Sequence, residues 1–133
     1  MPHHGWLPVE FQADSVKLEF EASAVLNKPL EELYAAITRL LNYKTGQVTW
    51  WLEPYTYYFY FERTGPKDFR LTISEADDMD KEKAKLTALE GSYKQLIAPL
   101  RKALLEFCDF QYEKRHWPVS FTKTDIEKLP KGL

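Results

Sequence analysis

A short run of strictly alternating apolar and charged side chains predicts the first clear strand of the chain. The run covers residues 16–22 and reads Val16, Lys17, Leu18, Glu19, Phe20, Glu21 and Ala22. Because successive side chains of a strand point to opposite faces, one face of this strand is expected to be buried. Residues 6–12 are a weaker candidate for its partner strand, since Pro8 lacks the N–H that a paired residue donates.

The next segment has the spacing of an amphipathic helix from Pro29 to about Tyr43. Its apolar residues recur three and four positions apart and so share one face: Leu30, Leu33, Tyr34, Ile37, Leu40 and Leu41. Asn27 is the expected N-cap, and Pro29 suits the first turn, where no N–H is needed. Gly46 lies in the expected stop region.

Two segments rich in strand-forming residues, 48–52 and 57–61, predict a hairpin. With the loop at residues 54–55, the expected pairs on the apolar face are Val48–Phe61, Trp50–Phe59 and Leu52–Tyr57. On the other face, which is aromatic and polar, the expected pairs are Thr49–Tyr60 and Trp51–Tyr58. A turn at Gly65 and Pro66 then leads to a further strand over 69–74.

Residues 77–83 are expected to form a polar, acidic turn. The segment that follows is ambiguous, because its apolar residues from 86 to 107 also fit one long helical stripe. Gly91 and Ser92 interrupt that stripe, and Ser92-x-x-Gln95 has the form of a capping box. These features favour a strand over 84–90 and a helix from Ser92 to about Glu113, kinked near Pro99. A last short helical turn is expected over 124–129.

These elements together predict an α+β fold, in which an antiparallel meander of about 5–6 strands carries two helices packed on one face. The chain has 133 residues, enough for one core. We therefore expect a single domain over 1–133, with 1–14 and 114–133 as partly extended terminal segments.

Composition narrows the class of protein. With 44% hydrophobic and 15% aromatic residues, the sequence is not that of a disordered chain. A formal net charge of -2 provides no basic field for nucleic acid or an anionic membrane, and no apolar run approaches a membrane span of about 20 residues. The single cysteine, Cys108, and the absence of signal-peptide features favour a cytoplasmic location.

The best candidate site is the outward face of the predicted meander. Trp51, Tyr58 and Tyr60 are expected to lie there together, bordered by Arg70 and by Lys17, Glu19 and Glu21. Aromatic side chains with polar tips are enriched in the cores of protein interfaces. The competing interpretation is that these rings only stabilise the sheet, or that the C-terminal tail covers them.

Other reactive side chains have simpler explanations, and none is assigned a catalytic, cofactor-binding or metal-binding role. His3 and His4 lie at the terminus, and His116 suits a solvent-facing position after a helix. The acids between residues 77 and 82 lack the register of a calcium loop. Cys108 lies beside acidic residues and is expected to be an inert, buried thiol.

The order of several motifs carries a resemblance. They are Trp50-Trp51-Leu52-Glu53-Pro54-x-x-Tyr57, Phe61-Glu62-Arg63, Leu71-Thr72-Ile73, Glu90-Gly91-Ser92 and Tyr112-x-x-x-x-x-Pro118. In this order the chain resembles a group of small bacterial α+β proteins that are similar in organisation to immunity-type or accessory binding proteins. The resemblance implies a bacterial cytoplasmic setting and brings no catalytic residues with it.

The function predicted from the sequence is therefore that of a non-enzymatic protein-binding module of the immunity or inhibitor type. Its partner is expected to be another protein, bound through the aromatic sheet face, with no cofactor, nucleic acid or membrane involved. One alternative is a small-molecule-binding or enzymatic domain with a pocket between the sheet and the C-terminal tail. Another is a structural protein that forms homodimers through the same face.

Overall fold

The computed structural model describes residues 6–13, 16–23, 28–52, 55–77, 84–109 and 119–132. In these ranges the strands are β1 (Trp6–Ala13), β2 (Val16–Ser23), β3 (Gly46–Trp51), β4 (Tyr55–Arg63), β5 (Asp68–Asp77) and β6 (Ala84–Ser92). The helices are α1 (Pro29–Leu41), α2 (Tyr93–Leu96), α3 (Ala98–Asp109) and α4 (Lys123–Glu127). None of these helices is long and apolar enough to cross a membrane.

The strands form an antiparallel meander in chain order, which confirms the predicted α+β fold. Strands β3 to β6 pair along most of their lengths, and β6 confirms the strand expected over 84–90. The β1–β2 hairpin is fully paired within itself but joins β3 through a single residue pair, Ser23 and Trp51. The sheet is therefore a four-stranded body with a two-stranded hairpin attached at one point.

Alternation along β3 to β6 sends one set of side chains towards the helices, and this set forms the core. Its buried members are Val48, Trp50, Phe59, Phe61, Phe69, Leu71, Ile73 and Leu89. The helices contribute buried side chains that include Leu33, Ile37 and Leu104. Leu18 and Phe20, on the side of β2 expected to be buried, are only partly so, and the same holds for Leu100, which belongs to the apolar stripe over 86–107 and was expected in the core.

The β3–β4 hairpin differs from the predicted register by two residues. Trp50 lies opposite Tyr57 and Val48 lies opposite Phe59, so the predicted pairs are wrong although every side chain is on its predicted face. The Leu52 N–H donates to the Tyr55 carbonyl at 2.9 Å, which closes the hairpin earlier than predicted. A shift of two preserves the side-chain period of a strand, and so the hydrophobic pattern does not distinguish the two registers.

The β1–β2 hairpin packs its apolar face on the same core. The ring centroids of Phe11 and Phe59 are 5.2 Å apart, and the Phe20 ring lies 5.6 Å from Trp50 and 5.1 Å from Tyr57. Pro8 is tolerated in β1 because β1 is an edge strand. The hairpin therefore leaves the plane of the meander and covers part of its helix-facing side.

Helix α1 begins without the expected side-chain cap. Lys28 occupies the N-cap position with no side-chain hydrogen bond, while Asn27 lies outside the described residues. The helix ends at Leu41, and Tyr43 adopts a left-handed φ of 58° just beyond it. The Arg63 guanidinium stacks 4.0 Å from the Tyr43 ring and donates to the Leu40 carbonyl, so a side chain from the sheet stabilises this helix end.

The second predicted helix is divided into α2 and α3. The predicted capping box is confirmed, since the Gln95 N–H donates to Ser92 Oγ at 3.3 Å and the Ser92 N–H donates to Gln95 Oε1 at 2.9 Å. The division falls at Ile97, which places Pro99 in the first turn of α3 rather than at a kink within one helix. Residues 110–113, the expected end of this helix, lie outside the described residues.

Residues 119–132, here called the C-terminal segment, contain the last short helix. The helical turn expected over 124–129 is confirmed as α4, which is capped by Thr122 and Asp125 in a second capping box. The segment packs against α3 and α1, on the helix side of the sheet.

Candidate binding surface

Trp51, Tyr58 and Tyr60 lie on the side of the meander that faces away from the helices. Their backbone neighbours Trp50 and Phe59 are buried in the core, and side chains alternate along a strand. Tyr58 pairs with Thr49 and Ser74, Tyr60 pairs with Gln47 and Thr72, and Trp51 pairs with Thr56. We call the surface formed by Trp51, Tyr58, Tyr60 and Arg70 the aromatic face.

The rings of the aromatic face differ in exposure. Tyr60 is 37% exposed, whereas Trp51 and Tyr58 are half-buried. Because of the register shift, Trp51 lies diagonally beside Tyr58 rather than directly opposite it. Diagonal neighbours on one sheet face are still within reach of large aromatic side chains, so Tyr58 is adjacent to both Trp51 and Tyr60, which are not adjacent to each other.

Thr56 lies directly opposite Trp51 on this face, two residues before Tyr58 in β4, and is fully buried. Its hydroxyl has no hydrogen-bond partner in the structure, and Ala76, paired with Thr56 in the next strand, is also buried. Other atoms of the chain therefore cover this end of the aromatic face, and its exposed ring is that of Tyr60.

Arg70 is held at the border of the aromatic face by cross-strand carboxylates. Its Nη2 and Nε atoms donate to Glu90 Oε1 at 2.8 and 3.0 Å, and Nη1 lies 3.8 Å from Glu62 Oε1. Glu90 is the main cause that raises the pKa of Arg70 above its usual value. These groups are exposed and contribute little to stability, but they fix a row of mixed charge beside the aromatic rings.

Two expectations about the surroundings of this face are changed by the structure. Lys17, Glu19 and Glu21 pair only within the β1–β2 hairpin, and so they are not ladder neighbours of the aromatic rings. The described part of the tail lies on the helix layer and not on the aromatic face, as the stacking of Phe121 on Tyr34 at 5.6 Å shows. Residues 110–118 of the tail lie outside the described residues.

The other reactive side chains form no recognisable site in the part of the chain that the structure describes. Cys108 is half-buried on α3, and burial together with Asp109 raises the pKa of its thiol, which disfavours the nucleophilic thiolate. His3, His4, His116 and residues 78–82 of the acidic turn are outside that part. Within it, no group of three or more His, Cys, Asp or Glu side chains could hold a metal ion.

Sequence reasoning missed one feature, an open depression of about 540 Å³ on the β1–β2 hairpin. It is lined by Val9, Glu10, Glu19, Phe20 and Glu21. Glu10 lies directly opposite Glu19, and Lys17 pairs with Glu19 at 3.3 Å. The sequence signal for this depression was Glu10, the acidic residue of the weakly predicted strand over 6–12. It becomes informative only when its pairing with Glu19 is known. The depression lies on the hairpin and not between the sheet and the tail.

The polar groups of the aromatic face are the hydroxyls of Tyr58 and Tyr60 and the Arg70 guanidinium, which is paired with two carboxylates. A comparison with known proteins finds no match to this chain among family models, curated proteins or solved structures.

Proposed function

We propose that this chain is a non-enzymatic module that binds another protein through its aromatic face. The observation that carries the proposal is the position of Trp51, Tyr58 and Tyr60 on a sheet face against which none of the described helices packs. The opposite face of the same strands is filled by helices and by the β1–β2 hairpin. Tyr60 is exposed and the other two rings are partly exposed, and aromatic side chains with polar tips are enriched in the cores of protein interfaces.

The physical chemistry of these side chains favours a protein partner. Trp and Tyr supply large contact areas while few torsion angles are immobilised, which is why they dominate the energetics of interfaces. Arg70 is already oriented by Glu62 and Glu90, so binding would not have to order its side chain. The positive charge of Arg70 and the negative charges of Glu62 and Glu90 would orient a bound partner more than they would raise its affinity.

The proposal includes a bacterial cytoplasmic role of the immunity or inhibitor type. It is supported by the order of motifs from Trp50 to Pro118 and by the single cysteine, which suits a reducing compartment. No cofactor is part of the proposal, because recognition by aromatic contact requires none.

The test is the double variant Trp51→Ser and Tyr58→Ser. We expect it to abolish association, because each good aromatic anchor contributes at least about 2 kcal/mol to binding. Association is measured in two ways: self-association by sedimentation velocity over a range of concentrations, and partner binding by quantitative affinity capture from a lysate of the source organism. The matched control is Tyr55→Ser, a 49% exposed tyrosine of the same strand at a position of the opposite face.

The fold of the double variant is checked by its free energy of unfolding in denaturant. A variant that stays folded and loses capture of a protein that Tyr55→Ser retains supports the proposal, whereas loss of self-association alone favours the homodimer. If the wild-type chain captures no protein that the double variant loses, the proposal is wrong. It is also wrong if the double variant loses most of its stability while association is unchanged, because the rings would then be structural.

A further inference from the structure

The C-terminal segment docks on the helix layer as a peptide docks in a groove. Its apolar anchors Phe121, Ile126 and Leu129 are 6%, 0% and 7% exposed. Phe121 stacks on Tyr34 of α1, and α4 packs against α3. Only Ile126 lies within α4, while Phe121 precedes its N-cap and Leu129 follows its C-cap. Insertion of apolar side chains from a short segment into a groove is a common mode of peptide recognition.

The helix layer also binds the main chain of this segment. The Arg101 guanidinium, 7% exposed, donates from Nε to the Leu129 carbonyl at 2.9 Å and from Nη2 to the Glu127 carbonyl at 3.4 Å. The Tyr93 hydroxyl donates to the Pro130 carbonyl at 2.6 Å. Carbonyls at a helix C-terminus lack partners within the helix and carry partial negative charge, so they suit a buried cation.

The attachment of the segment differs from that of the strands. In the structure as described, the backbone hydrogen bonds of residues 119–132 are internal, such as Ile126 N–H to Thr122 carbonyl and Leu129 N–H to Ile126 carbonyl. Between the segment and the other described residues, every hydrogen bond involves a side chain. A five-residue helix is too short to be stable in isolation, so the segment is ordered only while it is docked.

The polar contacts at the start of the segment are few. The Ser120 hydroxyl donates to Glu31 Oε2, whereas Glu31 Oε1 is buried with no hydrogen-bond partner in the structure. A buried carboxylate oxygen without a donor is unfavourable. The ion pair between Lys123 and Asp109, 2.8 Å apart, is exposed and adds little.

From these observations we propose that the C-terminal segment is a latch. It opens as a unit while the sheet stays folded, and the groove that it leaves, marked by Tyr34, Tyr93 and Arg101, binds the same segment when it is offered in trans. The groove is then a second binding site, separate from the aromatic face. Its ligand is a short helical peptide with one aromatic and two aliphatic anchors, five and three residues apart, and with free carbonyls after its last turn.

Hydrogen exchange of the intact, unmodified chain tests the opening step. We expect amides 123–129 to have protection factors at least about tenfold lower than those of β4 and β5, with little dependence on added denaturant, as local opening exposes little surface. If those amides exchange at the same rate and with the same denaturant dependence as the strands, the segment opens only by global unfolding and the proposal is overturned.

Arg101→Met tests the role of the buried guanidinium, because it keeps most of the side-chain volume and removes the donors. We expect exchange of amides 123–129 to rise about a further tenfold, while β4 and β5 are unaffected, since a charged hydrogen bond is lost. Lys102→Met, a change at the adjacent exposed residue, is the matched control and should leave both sets unchanged. Equal effects of the two variants would contradict the assignment of Arg101.

A fluorescent peptide with the sequence of residues 119–133 tests the groove itself. We expect it to bind the full chain carrying Ile126→Ser, whose own segment is released, at least about tenfold more tightly than the wild-type chain, where the tethered segment competes. The same peptide with Ile126→Ser should not bind. Exchange protection of β4 and β5 verifies that the variant chain is folded, and a folded variant that fails to bind the wild-type peptide overturns the proposal.

Discussion

Trp50 and Trp51 are adjacent in the sequence and lie on opposite faces of the same strand. Trp50 is 3% exposed and its ring lies 5.7 Å from that of Phe59, within a core closed by α1 and the β1–β2 hairpin. Trp51 is half-buried on the aromatic face, where none of the described helices packs. Aromatic content alone therefore does not separate a structural ring from an exposed one. The elements that pack against each face make that difference.

The largest expected effect comes from the helix-facing side. Phe59→Ala removes a ring that is 1% exposed and contacts Phe11 and Trp50. We expect the free energy of unfolding to fall by about 3–5 kcal/mol, the cost of a large core cavity. Chemical denaturation measures it.

The next residue of the same strand supplies the control. Tyr60→Ala changes the other face, at a side chain that is 37% exposed, and should alter stability by only about 0.5 kcal/mol. Equal losses from the two variants would mean that the aromatic face is as structural as the core, and the comparison of the two faces would fail.

A smaller effect is expected where α1 crosses β3. A Cβ at Gly46 would lie 2.6 Å from the Cβ and 2.7 Å from the Cα of Ala36. Gly46→Ala should therefore cost about 1–3 kcal/mol through overpacking, measured by chemical denaturation. Adding Ala36→Gly should restore only part of this loss, because the Cα of residue 36 remains in place. Full restoration would show that the backbone contact is less close than the structure indicates.

The smallest effect on stability is expected at Ser92, where β6 ends and α2 begins. Ser92→Ala removes the side-chain acceptor of the capping box and should lower stability by about 0.5–2 kcal/mol. The cap positions Tyr93, whose ring lies 5.8 Å from that of Phe69, so exchange of α2 amides should rise while association through the aromatic face is unchanged. Lys102→Ala, at an exposed position of α3, is the control. A loss of association in Ser92→Ala would show that the two faces are coupled.

Local patterns were sufficient to predict the elements and their faces. The alternation around Trp50 and Phe59 and the helical spacing of Leu33 and Ile37 depend only on the period of each element, and all four residues are buried as predicted. The capping box at Ser92 was also readable, because its two hydrogen bonds join residues three positions apart. The side-chain period could not predict the register of the β3–β4 hairpin, since a shift of two residues leaves every side chain on its face.

Contacts between residues distant in the sequence decided the rest. The single pairing of Ser23 with Trp51 frees the β1–β2 hairpin to cover the core, and no local pattern specifies how few pairs two strands make. Neither the position of α4 nor the burial of Thr56 on the aromatic face follows from periodicity.

The sequence by itself determined which side of each strand is apolar and that a capping box at Ser92 begins the helix layer after β6, because those features arise from backbone geometry within a few residues. The tertiary structure alone decided that Arg101 is buried while Leu100, next to it on the predicted apolar stripe, is only partly so. A guanidinium leaves water only when acceptors replace it, and its acceptors are the carbonyls of Glu127 and Leu129, more than twenty residues away in the chain.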